Sequence, residues 1–193
     1  MSIRKSAVAA WTTSVVQARC VTMRDSAPGR FGRLSWLWLS VLVLVIDQAS
    51  KFYFENRLDL YEQIVVIPDY FSWMLAYNTG AAFSFLADGA GWQRWLFALI
   101  AVVVSAVLVV WLKRLGRDDT WLAIALALVL GGALGNLYDR IVLGHVIDFI
   151  LVHWQNRWHF PAFNVADSGI TVGAIMLALD MFKSKKTGEP AHD

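Results

Sequence analysis

The chain has a single cysteine, Cys20, among 193 residues, so it holds no internal disulfide framework and no multi-cysteine metal site. It is also poor in charge. Asp, Glu, Lys and Arg make up 17% of it, against roughly 25% in soluble proteins, which argues against disorder and against nucleic-acid binding. Its four histidines, His145, His153, His159 and His192, lack the His-Glu-x-x-His spacing of a zinc protease. Neither Ser84 nor Ser168 lies in Gly-x-Ser-x-Gly, which disfavours a serine nucleophile on a strand-to-helix elbow. There is no internal repeat and no low-complexity tract.

What the chain has in abundance is apolar surface, with 58% hydrophobic residues and a mean hydropathy of +0.51. Its ten tryptophans often flank apolar runs, where membrane-interface anchors belong. Four stretches are long enough, at about 1.5 Å per residue, to cross a hydrocarbon core roughly 30 Å thick. They run from Leu34 to Phe54, Trp95 to Leu112, Trp121 to Tyr138 with Asp139 and Arg140 directly after, and Pro161 to Phe182. Pro161 suits a helix opening, because a first-turn proline forfeits no intrahelical hydrogen bond.

Cytoplasmic flanks are enriched in Lys and Arg, and twelve of the 17 basic residues lie before the first span, between the second and third, or after the fourth. Both termini are therefore expected in the cytoplasm. The outward segments are Glu55 to Gln93 and Ile141 to Phe160. Gln63 to Asn78 is rich in Val, Ile, Tyr, Phe and Trp around a Pro68-Asp69 turn signal, which predicts a small β-hairpin. The expected fold is an all-α integral membrane protein, four transmembrane helices with a small extracytoplasmic β element, in one domain over residues 34–186. Residues 1–33 lack a sustained apolar run and are expected to be a disordered extension, with 1–22 a dispensable or over-called start before Met23; Ala7 to Ala10 is too short for a signal-peptide core. Residues 187–193 form a cytoplasmic tail.

A charge at mid-membrane costs about 2.5–3.5 kcal/mol on insertion scales, so polar residues in the spans need partners or a purpose. Asp47 and Lys51 have the four-residue spacing and order of a helical ion pair, and spacing alone leaves a structural role open. Gly132, Asn136 and Arg140 make a stripe at four-residue intervals, with Asp139 on the side of Asn136, while Gly131 to Gly135 matches a helix-packing Gly-x-x-x-Gly. Asp148 lies just beyond the third span and Asp167 near the start of the fourth. The chain between them must run out and return, so both can sit at one outward depth. Two carboxyls held close in apolar surroundings cannot both ionise and share a proton, which equips one as base and the other as acid. Spacing also allows a second reading, with Asp167 a dipole-stabilised helix residue and Asp148 a solvated loop acid.

Four blocks carry a resemblance to a known family. They are Asp47-Gln48-Ala49-Ser50-Lys51; Asn78-Thr79-Gly80-Ala81-Ala82-Phe83-Ser84; Gly131 to Arg140 with Val146-Ile147-Asp148-Phe149; and Phe163-Asn164-Val165-Ala166-Asp167-Ser168. In that order the chain resembles the bacterial lipoprotein signal peptidases (signal peptidase II) from about Phe31 to Lys186. The resemblance implies an inner-membrane aspartic endopeptidase that removes signal peptides from prolipoproteins, cutting N-terminal to a cysteine that carries diacylglycerol. It assigns the catalytic dyad to Asp148 and Asp167, and the surrounding polar shell to Asp47, Lys51, Asn78, Gly132, Asn136, Asp139, Arg140 and Asn164. It implies no metal or other cofactor, a site near the periplasmic face, membrane lipid and prolipoproteins as partners, and inhibition by globomycin-type cyclic peptides. A monomer is the default expectation. The segment Tyr61 to Ala90 is expected to close over the peptide, hinged near Gly80 and Gly89 to Gly91. The alternatives are a proton-coupled transporter, since acids in membranes often relay protons, and a non-catalytic assembly factor docking through its glycine face.

Overall fold

The computed structural model describes residues 32–80, 91–116, 118–155 and 157–186. The expectations about residues 1–31, most of the Gly80 to Gly91 region and residues 187–193 fall outside them. A 3₁₀ turn (Leu34–Trp36) leads into α1 (Leu37–Glu55), followed by β1 (Gln63–Ile67), β2 (Phe71–Asn78), α2 (Trp92–Arg114), α3 (Thr120–Val142), β3 (Val146–Trp154), β4 (Trp158–His159) and α4 (Val165–Lys186). All four α-helices contain a stretch long and apolar enough to cross a membrane.

The helices differ in what surrounds them. Helix α3 is central, touching each of the other three. It buries Leu126 and Leu130 together with Ala123, Ala125, Ala127, Gly131, Gly132, Ala133 and Gly135, small residues that let backbones approach. A Cβ on Gly131 would lie 2.7 Å from the Ser40 carbonyl oxygen, and Ser40 Oγ donates to Ala127 O at 2.8 Å, so α1 lies almost against α3. Gly173 brings α4 in the same way onto Ala125 and Val129. Helix α2 instead exposes Trp95, Leu99, Val103 and Val107 along one side. Its contact with α3 is a cluster of Leu108, Leu112, Leu115, Ala123, Leu126 and Leu130.

The four strands form an antiparallel sheet in the order β1-β2-β3-β4. The β1–β2 hairpin falls where the turn signal predicts it. Tyr70 N donates to Ile67 O at 3.1 Å, and Asp69 takes φ +68°, which a short polar side chain tolerates after a proline. Strand β3 was not foreseen. Its first four residues, Val146 to Phe149, are all buried, so the run lacks the polar alternation that marks a half-exposed strand. Leu58, Leu75 and Ile147 seal the sheet onto the end of α1, where Phe54 stacks on Phe149 at 4.4 Å and meets Trp73 at 4.7 Å.

One expectation is corrected. The last helix begins at Val165 and not at Pro161. The backbone before it is engaged by β3: Phe163 O accepts from Phe149 N at 3.1 Å and Ile150 N at 2.9 Å, and Phe163 N donates to Ile150 O at 3.1 Å. These bonds hold residues 161–163 out of the helix.

Candidate active site

Helix α4 opens at the junction of α1, α3 and β3, and its first turn is capped by side chains. Asn164 Oδ1 accepts the backbone N–H of Asp167 at 2.9 Å, the geometry of an N-cap residue reaching its third helical position. The N–H of Ala166 donates to Asp47 Oδ1 on α1 at 2.8 Å. A Cβ on Gly132 would overlap the Ala166 carbonyl oxygen, so this close approach of α3 requires glycine. The three contacts fix where Asp167 stands.

Strand β3 brings Asp148 to the same place. Asn164 Nδ2 donates to Asp148 Oδ1 at 2.7 Å, and Asn78 Nδ2, from the end of β2, donates to Oδ2 at 3.1 Å. Asn136 on α3 completes the bridge, donating from Nδ2 to Asp167 Oδ1 at 2.7 Å. Its oxygen receives Lys51 Nζ at 3.1 Å and Asn164 Nδ2 at 3.2 Å, which leaves the amide nitrogen to face the acid. The two carboxyls are thus joined through Asn136 and Asn164. Among the described residues neither makes an ion pair with a lysine or arginine. Asp148 is 2% exposed, whereas Asp167 is half-buried. Burial, and after it the neighbouring Asp167 charge, push the Asp148 carboxyl up from 3.8 to about 7, against the opposing hydrogen bonds from Asn78 and Asn164. The solvated-loop reading of Asp148 is therefore excluded, while Asp167 is indeed in the first turn of a helix.

Directly behind lies a second acid pair of different character. Lys51 Nζ sits 2.7 Å from Asp47 Oδ2 and 2.8 Å from Asp139 Oδ2, with all three residues buried. Asp139 Oδ2 also accepts from Ile147 N at 3.3 Å, linking α3 to β3. Gln48 was not singled out from the sequence as a site residue, yet its Nε2 lies 2.8 Å from Asp139 Oδ1, 3.2 Å from Asp47 Oδ2 and 3.3 Å from Gly135 O. Its position beside Asp47 in an apolar span was the available signal. Arg140 stands at the rim, donating to Asn136 O at 3.0 Å with its guanidinium over the Phe97 ring at 5.4 Å. All ten residues singled out from the sequence thus fall in one neighbourhood: Asn78, Asn136 and Asn164 on the two acids, Asp47, Lys51 and Asp139 behind them, Gly132 and Arg140 at the α3 contacts.

A compact set of carboxyls and amides among long apolar helices is the kind of arrangement that acid–base chemistry in a membrane-embedded enzyme requires. The sequence model of the signal peptidase (SPase) II family matches residues 39–183. The chain is 88% identical over 162 residues to a lipoprotein signal peptidase of Pseudomonas syringae pv. tomato, covering 84% of this chain and 94% of the relative. It is 86% identical over 168 residues to that of Pseudomonas fluorescens, covering 87% and 99%. Among solved structures it is similar to a bacterial membrane enzyme determined in meso at 2.3 Å, with a TM-score of 0.69, 27% identity, and coverage of 82% of this chain and 94% of the other. The chain belongs to the signal peptidase II family of aspartic peptidases. The transporter alternative finds no support in these relatives.

Proposed function

We propose that the protein removes signal peptides from diacylglyceryl-modified prolipoproteins, cutting on the N-terminal side of the lipidated cysteine, with Asp148 and Asp167 as the catalytic dyad. Family membership supports the activity. The assignment of the dyad rests on one observation: of the four buried or half-buried acids at this junction, only these two make no ion pair among the described residues and are joined by neutral amides. Such a pair holds one proton between two carboxyls. One aspartate deprotonates a water, the other protonates the carbonyl oxygen of the scissile bond, and the tetrahedral intermediate collapses to release the signal peptide.

In this reading the four helices span the inner membrane, both termini are cytoplasmic, and the sheet and dyad lie toward the periplasmic face. The diacylglyceryl anchor holds the substrate cysteine at the outer interface, each buried methylene contributing about 0.8 kcal/mol. The scissile bond then arrives at the depth of the dyad without extraction of the lipid, and proximity supplies part of the rate. Asn78, Asn136 and Asn164 orient the acids, Arg140 lines the rim, and the Asp47-Lys51-Asp139 cluster with Gly132 holds the helices that present them. Globomycin-type peptides compete at the dyad, and one copy of the chain suffices. Residues 34–186 form the peptidase unit, and a chain beginning at Met23 keeps activity; a folded but inactive one overturns that boundary. The central test is incubation of a diacylglyceryl-modified prolipoprotein with the protein in detergent, read as a gel shift. Cleavage that disappears in Asp148→Asn and in Asp167→Asn is expected; cleavage retained in either ends the dyad assignment.

A further inference from the structure

The β3–β4 hairpin, apart from the acids, brings two histidines face to face. His153 and His159 are register partners whose rings stack at 5.6 Å with 29° between their planes. Phe160 N donates to Val152 O at 2.9 Å, so Val152 and Phe160 form a hydrogen-bonded pair. The adjacent His153 and His159 are then a non-hydrogen-bonded pair, the kind in which Cα atoms approach to about 4.5 Å and side chains lie closest. His153 is 3% exposed, and its Nε2 lies 3.1 Å from Ser72 Oγ, which accepts from Gln63 Nε2 at 2.8 Å. Its Nδ1 is buried with no hydrogen-bond partner. His159 is exposed.

We infer that His153 and His159 form a two-histidine site for a divalent transition-metal cation of the class imidazoles prefer: zinc, copper or nickel. With His153 Nε2–H donating to Ser72, Nδ1 presents a bare lone pair. A ring nitrogen bonded on its far side is what fixes the tautomer and orientation of a metal-bound imidazole, and Gln63 in turn holds Ser72. Rotation of the exposed His159 ring turns the stacked contact into a chelate. Among the described residues no third His, Cys, Asp or Glu joins the pair, so water completes the coordination on the open side. A bound ion ties β4 to β3, the strand that carries Asp148. The site is independent of the peptidase reading and takes no part in the cleavage chemistry.

The test uses the full chain in detergent, without a polyhistidine tag, titrated with zinc chloride by calorimetry and followed by thermal unfolding with and without the ion. Saturable one-to-one binding and a raised unfolding temperature are expected, both lost in His159→Ala and both kept in His145→Ala. Ser72→Ala is expected to weaken binding about 10–100-fold. His159 is exposed, so its replacement leaves the fold intact where His153→Ala would disturb a buried position. Absence of saturable binding, or equal binding and equal thermal shift in His159→Ala, overturns the site.

Discussion

Two pairs of acids sit side by side at the meeting point of α1, α3, β3 and α4, and they are satisfied by opposite means. Asp47 and Asp139 share the ammonium of Lys51, and each also receives a backbone N–H. Among the described residues Asp148 and Asp167 receive side-chain amides only, from Asn78, Asn164 and Asn136. The first arrangement ties α1, α3, β3 and α4 together through a shared ammonium; the second orients two carboxyls with neutral amides. The first pair suits a structural tie, and the second suits the proton-sharing dyad proposed above. The two pairs are also continuous, since Lys51 reaches Asn136 and Asn136 reaches Asp167.

The sharpest way to break this contrast is to neutralise an acid of the second pair and, separately, to remove the cation of the first. Asp148→Asn or Asp167→Asn should lower kcat/KM by about 10²–10⁴-fold, the range for losing a general acid or base, while the thermal unfolding midpoint in detergent stays near that of the parent. Lys51→Met should do the reverse in kind, destabilising by about 3–5 kcal/mol because two buried carboxylates lose their cation. The triple variant with Asp47→Asn and Asp139→Asn should recover part of that loss in the same unfolding assay. Gly132→Ala should cost about 1–3 kcal/mol, because its methyl meets the Ala166 carbonyl, and should lower cleavage by displacing the α4 turn that bears Asp167.

The pH dependence follows from the Asp148 carboxyl at about 7 against an ordinary 3.8. A raised carboxyl holds its proton more tightly in the folded chain than in the unfolded one. Folded stability from this group is thus greatest at low pH and falls as pH rises between about 4 and 7. Cleavage should fall along an alkaline limb near 7 as the shared proton is lost; a kcat/KM profile flat to pH 9 contradicts a proton-sharing dyad. The smallest effect is expected from Asn78→Ala. The Asn78 hydrogen bond favours the ionised form of Asp148, so removing it should move that limb to higher pH by less than about one unit.

How much of this was legible beforehand depended on whether a feature is local. The β1–β2 hairpin was readable because Pro68 and Asp69 specify its turn by themselves. Strand β3 was not, because its first residues are enclosed by the α1 end and the neighbouring strands, and a run buried on both faces reads like any apolar segment. Pro161 misled for a related reason: its fit to a helix start is a local preference, overridden by the pairing of Phe163 with Ile150. Asp47, Lys51, Asn136 and Asp139 stood out as polar residues in apolar spans. Gln48 shared that signal but acquires its meaning only when α1 and α3 are packed and its amide reaches Asp139.

The bond from Ala166 N–H to Asp47 connects residues 119 positions apart, the first helix to the last. A nascent chain that has completed its first three long helices soon carries Asp148, but neither Asp167 nor the turn that seats it. If these two acids form the proposed dyad, proteolytic competence is withheld until synthesis is nearly over.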